Sequence, residues 1–261
     1  NLLGDYFGDV EFLEDTVPTE RWEYVLEMPA GRRIHFNEVP IATYAAEPVD
    51  GGGTLHRWTA QDLDRLHPEP RMPGWSEVAT YLHVSTYADW DAVGRFWWGL
   101  IRDQIQPTPT IERLAREIVA EIPADDIEAR VRAVYGWVVE NTRYVGLEFG
   151  IHSFKPYKVD QVVRRGFGDC KDKASLIWSM LKVLGIDSKM VLLRMRHLGA
   201  IGERPASLAI FNHAIVYVPA LDLWLDGTAE WSGASELPVS DRGAEVLVVD
   251  PEGGSGFRTL P

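Results

Sequence analysis

The chain has 261 residues, which indicates two domains at roughly 100–200 residues per domain. Hydrophobic residues make up 46% and charged residues 25%, a composition that excludes a disordered or low-complexity chain. The formal charge of −13 would repel a phosphate backbone, so no nucleic-acid partner is expected. The densest apolar run, residues 96–101, is far shorter than the ~18 residues that span a bilayer, so we expect no membrane span.

The first half of the sequence has the pattern of β-strands. Trp22, Tyr24, Leu26 and Met28 share one face of an alternating segment, and residues 78–84 repeat the alternation. Turn-rich stretches at residues 50–53 and 67–74 separate these segments. The pattern predicts an N-terminal β-sandwich, closed by a helix that follows Asp89 as its N-cap.

The residue pattern changes from strand-like to helical near Pro107-Thr108-Pro109, where two proline rings restrict the backbone. We therefore predict a first domain over residues 1–106 and a second over residues 107–261. Helical periodicity begins at Ile111 and at Ile127, with Asp125 as the expected N-cap of the second helix. Strand-like segments return at residues 190–195, 208–218, 223–226 and 246–249, so the second part is expected to be α+β.

The lone cysteine, Cys170, excludes an intrachain disulfide and a multi-thiolate zinc site, and no metal or other cofactor is expected. Asp169 is the expected N-cap of a helix that ends before Gly185, which puts Cys170 in the first turn. Free backbone N–H groups and the helix dipole favour a thiolate there, and the thiolate is the nucleophilic form. The alternative is a buried structural cysteine, which is the more common role of a single thiol.

The polar residues beside Cys170 favour an accessible helix entrance over an apolar pocket. Lys171, Asp172 and Lys173 are predicted to form a solvated helix face. A phosphate loop is excluded, because residues 166–171 lack the glycine spacing of either phosphate-binding motif.

One of the seven histidines, His213, lies in an otherwise apolar, strand-like segment, where a polar side chain needs a partner. If the chain turns at residues 219–220, the two-residue connection places Asp226 directly opposite His213. A slip of one residue would move Asp226 to the other face. Asp222 is the rival acid but has the position of a solvated turn residue. The alternative for the His213–Asp226 pair is a polar contact that only stabilises a hairpin.

The order and spacing of Cys170, His213 and Asp226 resemble the transglutaminase-like superfamily, a variation on papain-type thiol chemistry. The resemblance covers residues 110–249, and its motifs are residues 168–174, 184–192, 211–216 and 224–228. The N-terminal half resembles the later part of a bacterial β-sandwich domain that often precedes such a core. That resemblance implies a truncated sandwich. Because the chain starts at Asn1 without Met or an export signal, we also expect a processed form or fragment.

The resemblance implies a Cys-His-Asp enzyme that acts on amides of a protein or peptide substrate, in the periplasm or outside the cell. Cys170 would be the nucleophile, His213 the general base and acid, and Asp226 the residue that orients the imidazole. The oxyanion would be bound by the Cys170 backbone N–H and a second donor, for which Tyr144 and His152 are candidates. Hydrolysis and transfer to an amine both stay open, and so does a different class, a non-catalytic interaction or cell-envelope scaffold that keeps the fold.

Overall fold

The structure is a computed structural model that describes residues 4–202, 205–230 and 232–261. Two compact units divide the chain. The first comprises the residues up to Asp89 together with Arg196–Ile210, and the second comprises Trp90–Met195 and Phe211–Pro261. Among the described residues, none of the helices has both the length and the apolar character needed to cross a bilayer. The expectation about what precedes Asn1 lies outside the described residues.

The described residues of the first unit form two antiparallel three-stranded sheets. Their strand orders are β1-β6-β3 and β2-β5-β4, with bounds β1 Gly8–Phe12, β2 Thr19–Met28, β3 His35–Phe36, β4 Thr43–Val49, β5 Gly53–Leu63 and β6 Tyr81–Ser85. Trp58 and Ala60 of β5 share one buried apolar cluster with Leu82 and Val84 of β6. Because each sheet contributes one face to this cluster, the unit has the sandwich-like packing predicted from the alternation.

In the part of the second unit that the structure describes, there are five α-helices. Their bounds are α1 Trp90–Ile101, α2 Pro109–Ile118, α3 Ile127–Asn141, α4 Val159–Arg165 and α5 Cys170–Val183. The side chain of Thr108 caps α2, whose first residue is a proline, and the side chain of Asp126 caps α3. The predicted cap of α3, Asp125, is wrong by one residue.

The strands of the second unit form a five-stranded antiparallel sheet and a short parallel pair. The large sheet has the order β11-β10-β9-β12-β13, and the short pair is β7-β8; the bounds are β7 Arg143–Tyr144, β8 Phe167–Gly168, β9 Lys189–Arg194, β10 His213–Val218, β11 Leu223–Leu225, β12 Glu245–Val248 and β13 Gly256–Thr259. Helix α5 packs against β10 and β9 and is buried from Cys170 to Leu181. The fold is therefore α+β, with the helix that begins at Cys170 packed on an antiparallel sheet.

Helix α1 belongs to the second unit rather than the first. Its Val93, Trp97 and Ile101 are buried, and Trp90 stacks on Phe257 of β13 with ring centroids 4.6 Å apart. The compact units therefore divide ahead of the predicted linker, whose second proline instead opens α2. The domain bounds of residues 1–106 and 107–261 stay a prediction.

The strand predicted over residues 208–218 is wrong in its first part. Leu208–Ile210 forms a 3-10 helix, and β10 begins only at His213. The preceding segment, Arg196–Ile210, belongs to the first unit, where Ser85 Oγ donates a hydrogen bond of 2.6 Å to the Ala206 carbonyl. His213 therefore begins its strand instead of interrupting it.

Candidate active site

Cys170 occupies the first turn of α5, as predicted. The Asp169 carboxylate accepts a hydrogen bond from the Asp172 backbone N–H at 3.2 Å, and Asp172 accepts in return from the Asp169 N–H at 3.3 Å. This reciprocal capping box fixes the start of the helix. The thiol is free but only 7% of Cys170 is exposed, so the entrance is more enclosed than the sequence indicated.

The predicted solvated face of α5 is wrong, because Lys171, Asp172 and Lys173 are all buried. The Lys171 ammonium lies 2.5 Å from the Asp169 carboxylate, and the Lys173 ammonium donates to the Thr142 carbonyl at 2.5 Å. Burial lowers the pKa of Lys173, against the raising effect of Glu230 and Asp226. These charges tie the start of the helix to the loop that precedes it and to the end of α3.

Arg165 forms an ion pair with Asp172. Its guanidinium lies 2.6 Å from the Asp172 carboxylate and over the rings of Tyr157 and Phe167. Burial and the neighbouring Asp169 charge raise the pKa of Asp172, although hydrogen bonds and the Arg165 charge act against that shift. Arg165 therefore fixes the chain on both sides of Gly168, immediately before the thiol.

The side chain of His213 lies between Cys170 and Asp226. His213 Nε2 is 3.1 Å from Asp226 Oδ1 and both side chains are buried, but the ring N–H is not aligned as a standard hydrogen bond. The nearby Cys170 thiol contributes to the raised pKa of this imidazole, so the two side chains lie close together. With Nε2 on Asp226, Nδ1 is the nitrogen left for the sulfur.

Electrostatics favour the charged form of this imidazole. Burial lowers the pKa of His213, but its contacts with Asp226 and Cys170 outweigh burial, so the pKa lies well above its ordinary value. Burial raises the pKa of Asp226, but His213 and two hydrogen bonds from Thr228 lower it by more, so the net pKa is below its ordinary value. The pair is therefore favoured as imidazolium and carboxylate.

The connection between β10 and β11 differs from the predicted two-residue turn. A 3-10 helix at Pro219–Leu221 precedes Asp222, whose φ of 47° is left-handed, so Val218 pairs with Leu223. The register is thus shifted by two residues, and Asp226 lies diagonal to His213 rather than opposite it. Because side chains alternate with a period of two, the shift keeps Asp226 on the face of His213. Asp222 is exposed and accepts a hydrogen bond from Tyr217.

Tyr144 is the oxyanion candidate that the structure brings near Cys170. Its strand β7 pairs in parallel with β8, which places Tyr144 beside Gly168. Burial, followed by the nearby Cys170 and other acidic groups, raises the pKa of Tyr144 to about 12. The phenol is therefore a neutral hydrogen-bond donor near the sulfur at ordinary pH.

His152, the other oxyanion candidate, has contacts elsewhere. Its ring stacks on Tyr157 with centroids 3.9 Å apart, and its Nδ1 donates to the Lys155 carbonyl at 2.9 Å. These contacts do not direct the imidazole at Cys170, so the geometry favours Tyr144 over His152. The oxyanion role of either residue stays a prediction.

An open cleft of about 750 Å³ gives access to this region. Ten residues line it: Tyr144, Glu148, Met195, Asn212, His213, Thr228, Ala229, Glu230, Ser232 and Pro238. Among the described residues, the lining of the cleft includes His213 but not Cys170. Its lining mixes polar and apolar side chains.

Sequence reasoning missed Asp241, a third titratable group at the site. Asp241 is fully buried, and one oxygen or nitrogen each from His213, Asp226 and Asp241 lie within 4.8 Å of one another. Among the described residues, this is the group whose spacing could accept a metal ion. Because His213 and Asp226 already pair with each other, we interpret the three as a hydrogen-bonded network.

Two supports of Asp226 were also missed. Thr228 donates to Asp226 Oδ1 from both its backbone N–H and its hydroxyl, each at 2.8 Å. Tyr135 of α3 donates its hydroxyl to the Asp226 carbonyl at 3.1 Å. The Asp-Gly-Thr spacing is typical of a side-chain-capped turn and could have indicated Thr228, whereas nothing local indicates Tyr135 or Asp241.

One family model matches part of the chain. Residues 112–224 match the family model of the transglutaminase-like superfamily, a range that contains Cys170 and His213 and ends just before Asp226. No curated protein matches the chain.

Among solved structures, a "putative protease" from Parabacteroides distasonis has a TM-score of 0.77 at 18% identity, covering 96% of this chain and 47% of that one. The chain thus spans about half the length of that protein, and the likeness shows the fold. A "putative cysteine protease" from Cytophaga hutchinsonii has a TM-score of 0.36 at 12% identity, covering 97% of this chain and 90% of that one. Residues 112–224 of this chain thus match the model of the transglutaminase-like superfamily, and the Parabacteroides structure has a similar fold.

Proposed function

We propose that this protein is a cysteine-dependent enzyme that cleaves or transfers the acyl group of peptide or isopeptide amides. The observation that carries the proposal is the buried His213, which lies between the Cys170 thiol and the Asp226 carboxylate and has a raised pKa. A neighbouring imidazolium stabilises a thiolate nucleophile, and a carboxylate stabilises an imidazolium in a buried site. The sequence order of the three residues and the superfamily of the core support the same assignment.

In the first half of the reaction, His213 accepts the proton of the Cys170 thiol, and the sulfur attacks the amide carbonyl carbon. The new C–S bond converts the carbonyl oxygen to an oxyanion, which the Cys170 backbone N–H and the Tyr144 hydroxyl would bind. The C–N bond then breaks, and the departing amine takes the proton from His213. The product of this half is a thioester on Cys170.

In the second half, water or a primary amine attacks the thioester and gives its proton to His213. The C–S bond breaks, and the thiolate–imidazolium pair is restored. Water yields a carboxylic acid and an amine yields a new amide, so access to the thioester decides between protease and acyltransferase activity. The open cleft beside His213 would admit either molecule.

Turnover of a glutaminyl peptide with a labelled primary amine tests the proposal, with both products identified by mass. Incorporated amine indicates transfer, and a cleaved or deamidated peptide indicates hydrolysis. Cys170→Ala should abolish either product, and a variant that keeps its activity would refute the assignment. Because one peptide samples few substrates, a peptide library should be profiled in the same way.

The low exposure of Cys170 is the one observation that favours the second candidate, a non-catalytic scaffold that keeps this fold. A scaffold needs its thiol only for packing. It predicts slow alkylation of Cys170 that does not depend on His213, whereas the enzyme predicts fast alkylation that does.

A further inference from the structure

The region around Asp226 contains one more carboxyl group than the proposed reaction uses. Asp241 lies in the turn before β12, where its backbone N–H donates to the Pro238 carbonyl at 3.0 Å and its own carbonyl accepts from the Ala244 N–H at 3.0 Å. The turn thus holds Asp241 firmly. Its side chain is fully buried, a position that an aspartate seldom occupies without a function or a partner.

The two oxygens of Asp241 have different surroundings. Oδ1 accepts a hydrogen bond from the Ser240 hydroxyl at 2.9 Å. Oδ2 has no hydrogen-bond partner among the described residues, although its neighbours at the site are Asp226 and His213. A buried carboxylate oxygen without a donor is costly, and a proton on that oxygen removes the cost by making it a donor.

Asp226 has an oxygen that can accept this hydrogen bond. Its Oδ1 already accepts hydrogen bonds from the Thr228 N–H and the Thr228 hydroxyl and lies 3.1 Å from His213 Nε2. Oδ2 is left for Asp241, and one carboxylate oxygen of each side chain lies within 4.8 Å of the other. Charge agrees, since one imidazolium can balance one buried carboxylate but leaves a second unpaired.

We propose that Asp241 is a positioning residue of the triad, which in its protonated form donates a hydrogen bond from Oδ2 to the Asp226 carboxylate and so holds that carboxylate against His213. The inference rests on the proposed function, because it concerns the same three side chains. Asp241 touches neither the thiol nor the substrate and acts only through Asp226. The raised pKa of Asp241, about 6 as a result of burial and the Asp226 charge, supports a proton on this group.

The rate of Cys170 alkylation by iodoacetamide tests this inference without a known substrate. Asp241→Asn keeps a donor at the same place and should leave the rate at about pH 5 within about twofold of the original protein. Asp241→Ala removes the donor and should slow alkylation by about fivefold or more, because the imidazolium is then less firmly paired. Asp222→Asn, an exposed aspartate of the same hairpin, is the matched control and should change nothing.

Equal rates in Asp241→Ala and the original protein would overturn the inference, and so would an Asp241→Asn variant as slow as Asp241→Ala. Alkylation that His213→Ala leaves unchanged would refute the proposed function itself, whereas alkylation that depends on His213 but not on Asp241 would refute only this inference. A stoichiometric divalent metal that is lost in Asp241→Asn would identify Asp241 as a ligand and also overturn it.

Infrared difference spectra provide a measurement that does not depend on the folding of Asp241→Ala. The original protein minus Asp241→Asn should show the carbonyl stretch of one protonated carboxylic acid at about pH 5. The same difference without that band would show an ionised Asp241 and would contradict the inference.

Discussion

Asp226 and His213 lie diagonally across two strands, with Nε2 and Oδ1 3.1 Å apart. In an antiparallel pair, diagonal side chains on one face are farther apart than directly opposite ones, but a long or aromatic side chain can still reach across. The imidazole covers this distance, and the two Thr228 hydrogen bonds hold the carboxylate in place. The relationship therefore depends on the turn after Asp226 as much as on the strand pairing.

Thiol reactivity should depend on the imidazole. Iodoacetamide should label Cys170 at about pH 6, because His213 as imidazolium stabilises the thiolate, and His213→Ala should slow labelling by about tenfold or more. Peptide mass mapping of the labelled protein measures the rate. His197→Ala removes an exposed imidazole and serves as the control. Labelling only in alkaline solution, equally in both variants, would contradict the prediction.

The His213–Asp226 pair should make stability depend on pH in two directions. The folded pKa of His213 is raised, so its contribution is present below the unfolded pKa of about 6.5 and is lost as pH rises through the folded value. The folded pKa of Asp226 is lowered, so its contribution is present above an unfolded pKa of about 3.8 and is lost as pH falls through the folded value.

Urea unfolding at a series of pH values should therefore show both losses in the original protein. Asp226→Asn leaves His213 buried without a counter-charge and should flatten both limbs while lowering stability near neutrality by about 3 kcal/mol. A pH profile identical to that of the original protein would show that the pair is not charged.

Asp241 should make the free energy of unfolding fall as pH rises, which is opposite to the effect of a carboxyl group whose pKa is lowered on folding. Its folded pKa of about 6 lies above the unfolded value of 3.8, so its contribution is present below 3.8 and is lost as pH rises through 6. The loss amounts to about 3 kcal/mol at most relative to Asp241→Asn, which cannot ionise. The groups that face Asp241 are Asp226, His213 and Ser240. The Asn variant is therefore compared with the original protein while both keep His213 and Asp226 unchanged. Parallel unfolding profiles of the two proteins between these pH values would contradict the raised pKa.

The buried Arg165–Asp172 ion pair should contribute more to the free energy of unfolding than an exposed ion pair does. Arg165→Ala leaves the buried Asp172 carboxyl without its cation and should cost about 3 kcal/mol of stability at neutral pH. Arg113→Ala breaks an exposed pair with Glu117 on α2 and should cost less than about 0.5 kcal/mol. Thermal and urea unfolding of the two variants measure the difference, and similar losses would argue against the pairing of Arg165 with Asp172.

Gly168 should not tolerate a side chain. A Cβ at this position would lie 2.6 Å from the Asp172 Cβ, inside the capping box that begins α5. Gly168→Ala should therefore destabilise the protein and lower Cys170 reactivity, because the start of the helix must shift. Gly99→Ala lies at an exposed position in the last turn of α1, where an added Cβ meets no neighbouring group within 4 Å, and should be neutral or stabilising by up to about 1 kcal/mol. Reactivity of Cys170 unchanged in Gly168→Ala would count against this close packing.

The sequence determined what depends on neighbours along the chain. The capping residue Asp169 and the apolar period of α5 are local signals, so the helix start and the position of Cys170 in its first turn followed from them. The alternation of β2 and the apolar run of β10 likewise placed strands, and the order of Cys170, His213 and Asp226 indicated a superfamily that the match over residues 112–224 bears out.

Only the tertiary structure decided what depends on residues far apart in sequence. The polar stretch Lys171, Asp172 and Lys173 reads as a surface, but Asp169, Arg165 and Thr142 bury and pair it. The connection after β10 took a left-handed residue at Asp222, which moved the register by two and still kept Asp226 beside His213. Asp241 joined that pair through a turn that no local pattern marks, because burial and electrostatics act through space, whereas capping and periodicity act along the chain.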